Sequence, residues 1–187
     1  GELYAWNDIS SSVGPLPNSV RSDVVNYLEK DYALSNLMFE QILKTKREIY
    51  GKIAAGFLEI EYAGLDAEMA TTLFDGRILT GVGGSLVKKR DPGNPIKLIN
   101  DDLNDNYKTA FFNTRVNFQD LEMYVDVKAG RFLAGDKGAR VTVTKSFFNG
   151  VQLAAWYSFT DTSIFTDTYN NGYHDKGISL SIPLRIF

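Results

Sequence analysis

The side chains that could do chemistry are few, and their spacing assembles no recognisable catalytic set. His174, the single histidine, stands beside Asp175 and Lys176 in a polar stretch and reads as an exposed structural residue rather than a base. Glu59 with Glu61, and Asp66 with Glu68, supply paired carboxylates of the kind that glycoside hydrolysis uses. Residues two apart on a strand share one face, however, and that chemistry needs two carboxyl groups set across a cleft. Gly81, Gly83 and Gly84 do not lead from a strand into a helix, so they predict sheet curvature and not a phosphate cradle. The acidic run at 99–106, INDDLNDN, lacks the ordered spacing and closing Glu of a calcium loop. With no Cys, the chain has no disulfide, no thiolate nucleophile and no Cys/His zinc site. No catalytic residue, cofactor or metal is therefore expected.

Composition narrows the class further. The 187 residues suit one domain or one small closed sheet, and 20 Lys plus Arg against 23 Asp plus Glu leave a net charge of -3. That balance argues against nucleic acid, whose binding rests on neutralising phosphates. No apolar run is long enough for a membrane helix, but 13% aromatic residues and short alternating segments leave membrane crossing by strands open. The chain begins with Gly1 and shows no secretion signal, and so reads as a processed product or a fragment.

The elements that must carry these residues divide at position 48. Residues 1–48 read as a loop followed by a helix from Ser35 or Asn36 to about Arg47, with Leu37, Phe39, Ile42 and Leu43 as its apolar stripe. From residue 49 the period changes to two, and 49–187 reads as a strand segment. About eight strands are expected, near 49–62, 66–74, 77–89, 106–118, 121–129, 138–147, 151–160 and 177–187. Turns are expected around Gly64, at Asp75-Gly76 and at Asn149-Gly150, with a long polar connection after residue 89. The clearest alternation sets Leu121, Met123, Val125, Val127 and Ala129 against Glu122, Tyr124, Asp126 and Lys128. Glu59, Glu61, Asp66, Glu68, Arg77, Arg115, Glu122, Asp126, Lys128, Arg140 and Arg185 fall on the polar phase. Trp156, Tyr124 and Tyr157 are the aromatic residues best suited to stacking on a sugar. This pattern fits a soluble all-β module whose polar face meets solvent as well as it fits a barrel whose polar face points inward.

The segment Gly130-Arg131-Phe132-Leu133-Ala134-Gly135-Asp136-Lys137-Gly138 strongly resembles the YjbH, or GfcD-like, family of bacterial outer-membrane proteins. The likeness continues through Ser146-Phe147-Phe148-Asn149-Gly150-Val151, Asp175-Lys176-Gly177-Ile178 and Ser181-Ile182-Pro183-Leu184, and upstream through Ala55-Gly56-Phe57-Leu58-Glu59 and Lys89-Arg90-Asp91. The resemblance implies an all-β, antiparallel up-and-down outer-membrane β-barrel, or part of one, with a short N-terminal helix. It implies a non-catalytic role in exopolysaccharide or capsule export or assembly. The partners it implies are extracellular polysaccharide, outer-membrane lipid and periplasmic or lipoprotein export components. Family members are much longer, so the chain reads as a fragment or a shortened homologue. Glu59, Glu68, Arg90, Asp91, Arg131, Asp136, Asp175 and Lys176 carry over as candidates for polysaccharide contact or for a charged network in a lumen, with Arg131 pairing to Asp136 or Asp175. The alternative is a soluble all-β module that binds a glycan or a protein.

Overall fold

The period-two alternation folds into one antiparallel sheet. The computed structural model describes residues 2–4, 20–21, 23–28, 33–45, 48–100, 105–148, 150–166, 168 and 170–183. Its strands are β1 (Glu2–Tyr4), β2 (Ala33–Lys44), β3 (Ile49–Phe57), β4 (Tyr62–Leu73), β5 (Ile78–Arg90), β6 (Leu98–Ile99), β7 (Tyr107–Phe118), β8 (Met123–Arg131), β9 (Lys137–Ser146), β10 (Gln152–Thr160) and β11 (Lys176–Ser181). A four-residue helix, α1 (Val25–Leu28), precedes β2. Neighbours in sequence are neighbours in the sheet, apart from β6, a two-residue spur on β5 whose main partner on that side is β7.

The sheet is open, and this corrects the expected closed barrel. A barrel of the eight predicted strands needs β3 to pair with β11. Instead β2 occupies the outer edge of β3, while β11 pairs only with β10 among the described residues. Among the described residues the sheet therefore does not close on itself, as a barrel of these strands requires. The reading of this chain as an outer-membrane barrel component with transmembrane strands and a closed lumen is overturned by that topology. No helix among the described residues is long and apolar enough to cross a membrane.

Residues 33–44 correct a second expectation. They form β2, paired with β3 from Leu37↔Phe57 to Lys44↔Tyr50, where a helix was expected. Leu37, Phe39 and Leu43 satisfy a period of two as well as a helical stripe, and the free edge of β3 offers a full ladder of hydrogen bonds that selects the strand. Lys46 and Arg47, assigned to the same helix, lie outside the described residues, as do 184–187 of the last predicted strand and 101–104 of the acidic run. The turn expected around Gly64 lies earlier, at residues 58–61, and Gly64 is inside β4 opposite Gly56. The Asp75-Gly76 hairpin forms as expected, with Phe74 and Asp75 both at φ 53° and Gly76 at 83°.

Strand register sorts the side chains onto two faces. One carries Leu37, Phe39, Ile53, Leu65, Met69, Val82, Leu86, Phe112, Val143, Leu153, Ile178 and Leu180, all exposed. The other carries Glu40, Lys52, Asp66, Glu68, Ser85, Phe111, Arg115, Asp126, Lys128 and Arg140. The sheet curls around this second face, because residues from every strand between β2 and β9 except β6 line a single cavity on it. Curling inward brings backbones together on the concave side, and glycine occupies the tight points. A Cβ on Gly130 would lie 2.0 Å from the Ala110 carbonyl oxygen, and one on Gly138 would lie 1.9 Å from that of Phe159. The buried core is small and sits at one end of the concave face, where Tyr62, Val87 and Tyr107 pack with Val20, Leu58 and Leu133.

Candidate functional site

The concave face is built by alternation and held by cross-strand charge pairs. Lys52 on β3 faces Glu68 on β4 and reaches both Glu68 (3.4 Å) and Asp66 (3.5 Å). These two carboxylates and their hydrogen bonds raise the Lys52 pKa against the opposing effect of burial. Asp66 also accepts a hydrogen bond from the Ser85 hydroxyl at 2.7 Å, which ties β4 to β5. On the opposite wall, Arg115 donates two hydrogen bonds to Asp126 at 2.7 and 3.0 Å and lies 4.0 Å over the Tyr124 ring. Hydrogen bonding to Asp126 is the main reason that the Arg115 pKa is raised.

Between these walls stand Lys128 on β8 and Arg140 on β9, directly opposite one another in register. The Lys128 ammonium sits 3.9 Å from the centre of the Phe111 ring, and Phe132 meets Phe111 edge to face at 5.0 Å. Burial lowers the Lys128 pKa, and Arg140 adds to that direction while Glu68 and Asp66 oppose it. Arg140 donates from Nε to the Ser158 hydroxyl at 2.9 Å and from Nη2 to Asp175, which also accepts from the Trp156 indole at 3.2 Å. A cavity of about 470 Å³ is lined by Glu40, Lys52, Asp66, Glu68, Lys128 and Arg140 among others. A second, of about 390 Å³, shares Glu68, Lys128 and Arg140 and extends to Arg115 and Asp126. Together they make a trough across the sheet in which these charged side chains stand among apolar ones such as Leu58, Val87 and Val127.

The predicted site residues fall in several places. Glu68 lies in the trough, while Asp175 lines a neighbouring cavity with Asp136 and Ser158 and holds Arg140. Glu59 is at the β3–β4 turn, bound to Arg21 at 2.9 and 3.0 Å. Arg90 is fully buried, donating to the carbonyl oxygens of Leu34, Ser35, Glu59, Ile60 and Pro95, with Phe57 4.3 Å away under its guanidinium. That arrangement stitches β2, the β3–β4 turn and the loop after β5, and it leaves no donor face for a ligand. Asp91 folds its own loop, accepting from the Gly93 and Asn94 amides, which lower its pKa. Arg131 and Lys176 lie on the apolar phase, at the end of β8 and the start of β11. Asp136 closes the β8–β9 turn, its carbonyl oxygen accepting from the Phe132 amide at 2.8 Å. His174 is half buried against Tyr157, with ring centres 5.9 Å apart.

Lys52 and the Lys128–Arg140 pair were absent from the predicted site set. The signal for the pair was present: a turn at Phe132–Asp136 folds Lys128 onto Arg140 by hairpin symmetry. Of the expected stacking residues, Tyr157 is on the apolar face, Tyr124 is covered by Arg115, and the Trp156 ring lies where a Cβ on Gly177 would fall, 2.3 Å away.

Comparison with known proteins bears on the whole chain. The family model YjbH, described as "Exopolysaccharide biosynthesis protein YbjH", matches residues 3–187. The "Uncharacterized lipoprotein YjbH" of Escherichia coli (strain K12) is 29% identical over 171 residues, which is 90% of this chain and 24% of that protein. The chain thus spans about a quarter of that relative's length. No solved structure matches.

Proposed function

Since the chain belongs to the YjbH exopolysaccharide biosynthesis family, we propose that it is a non-catalytic glycan-binding module whose concave face holds a stretch of polymer. The observation that carries this reading is the trough itself. It spans several strands and carries charged groups that already hold one another in place among apolar side chains, so hydroxyl groups find donors and acceptors without the protein rearranging. Its aromatic rings are used to seat cations, so sugars would be held by hydrogen bonds to charged side chains more than by stacking. The lipoprotein name of the Escherichia coli relative supports a place in the bacterial envelope beside other components of exopolysaccharide formation.

The test is retention of the intact protein by purified exopolysaccharide, read by co-sedimentation. Wild-type protein is expected to bind and Lys52→Ala with Glu68→Ala to bind several-fold more weakly, while the polymer's size distribution on gel filtration stays unchanged after incubation. Equal retention of variant and wild type would move the site away from the trough. Shortening of the polymer would replace binding with hydrolysis or lysis.

A further inference from the structure

Two cations directly opposite one another on adjacent strands repel, and an anion between them relieves that repulsion. Lys128 and Arg140 are such a pair, and both line both parts of the trough. We propose that they form a carboxylate-binding subsite, and that the polymer held in the trough is an acidic, uronate-bearing glycan. This deepens the glycan-binding reading above and rests on it.

The two side chains are prepared differently for the same ligand. Among the described residues Lys128 has no carboxylate within ion-pairing distance, and its ammonium is held over Phe111. Its three donors are not committed to a protein acceptor. Arg140 has its guanidinium plane fixed at two points, by Ser158 and Asp175, which leaves the Nη1 donors without a described partner. A planar guanidinium so braced presents its remaining donors in a set direction, which suits a planar carboxylate more than a bare hydroxyl.

The rest of the trough gives the polymer an orientation. Across from Lys128 and Arg140 stand Asp66 and Glu68, bridged by Lys52, together with Glu40. Those groups accept hydrogen bonds from sugar hydroxyls and repel carboxylates. A uronate residue would therefore turn its carboxyl edge to the β8–β9 wall and its hydroxyl edge to the β3–β4 wall. The near-neutral charge of the whole chain is no obstacle, because selection comes from the separation of charge across the trough.

Isothermal titration of the intact protein with hexagalacturonate, maltohexaose and inorganic phosphate tests this. Hexagalacturonate is expected to bind about tenfold or more tightly than maltohexaose, and more weakly as salt rises. Lys128→Gln and Arg140→Gln should each weaken hexagalacturonate binding about tenfold or more and so remove most of that preference, whereas Lys128→Arg should keep it. Because Arg140→Gln also frees Asp175 and Ser158, Lys128→Gln is the decisive variant if the other fails to fold. Equal affinity for the two sugars, or a preference that survives Lys128→Gln, overturns the subsite and leaves glycan binding standing. Phosphate binding as tight as the uronate would make this a general anion site and overturn the uronate assignment. Absence of binding to either sugar overturns both readings.

Discussion

Arg90 and Glu61 show how burial turns charged residues to structural use. Arg90 satisfies five backbone carbonyl oxygens at a point where β2, a turn and a loop converge, so its charge is spread over dipoles in place of a carboxylate. Glu61, 2% exposed, has one carboxyl oxygen without a partner, and its pKa is pushed up to about 8. Burial is the largest cause, Asp23 and Glu59 add to it, and Lys89 and Arg21 oppose it. Lys89 is engaged with Asp23 at 2.9 Å and Arg21 with Glu59, so neither cation is given over to Glu61. Between its ordinary 4.5 and about 8, the folded protein keeps a proton that the unfolded chain has released. Stability should therefore fall as pH rises through that window, by at most about 1.4 kcal/mol per pH unit, and level off above it. Urea denaturation across the window is expected to show this slope in wild type and a shallower one in Glu61→Gln. Superimposable slopes would mean that Glu61 titrates normally. A sequence reader could single out Arg90 as unusual from Lys89-Arg90-Asp91, but its role was not legible, since its acceptors come from residues 34, 35, 59, 60 and 95.

At the scale of the elements, glycine placement explains the shape. Gly64, Gly130 and Gly138 sit on the concave phase, each where a Cβ would fall within about 2 Å of a neighbouring carbonyl oxygen. Gly51, on the other phase, has its nearest atoms at 3.9 Å. Gly138→Ala is expected to cost about 1 to 3 kcal/mol by forcing β9 away from β10, whereas Gly51→Ala should stay within about 0.5 kcal/mol of wild type. Thermal unfolding of the two variants side by side checks this, and comparable losses would remove the link between glycine and curl. The five predicted strands from 77 to 160 and the flanking 49–57, 62–73 and 176–181 were legible because alternation persists over six residues or more. β2 was not, because Leu37, Phe39 and Leu43 fit both periods and only the open edge of β3 decides between them.

For the molecule as a whole, a single curled layer leaves its apolar face outside. Phe39 and Ile178 keep 71% and 75% of their surface, which places no second layer of this chain over either among the described residues. Exposed apolar area on this scale is far beyond scattered surface leucines. Purified protein is expected to enhance the fluorescence of a hydrophobic dye strongly, and the combined change Phe39→Ser, Leu65→Ser and Phe112→Ser should reduce that signal several-fold with unchanged circular dichroism. An unaltered signal would mean that the dye reports some other surface.

Alternation, turn residues and the lack of cysteine determined by themselves an all-β antiparallel chain, most of its strand limits, and a polar phase bearing Asp66, Glu68, Arg115, Asp126, Lys128 and Arg140. These follow from local sterics and from a period that any pairing partner must respect. Closure, curl and the pairing of β2 with the edge of β3 were decided only by the tertiary structure. They depend on which edge each strand finds and on backbone contacts between residues far apart in the chain, and hydrophobic period carries no record of either.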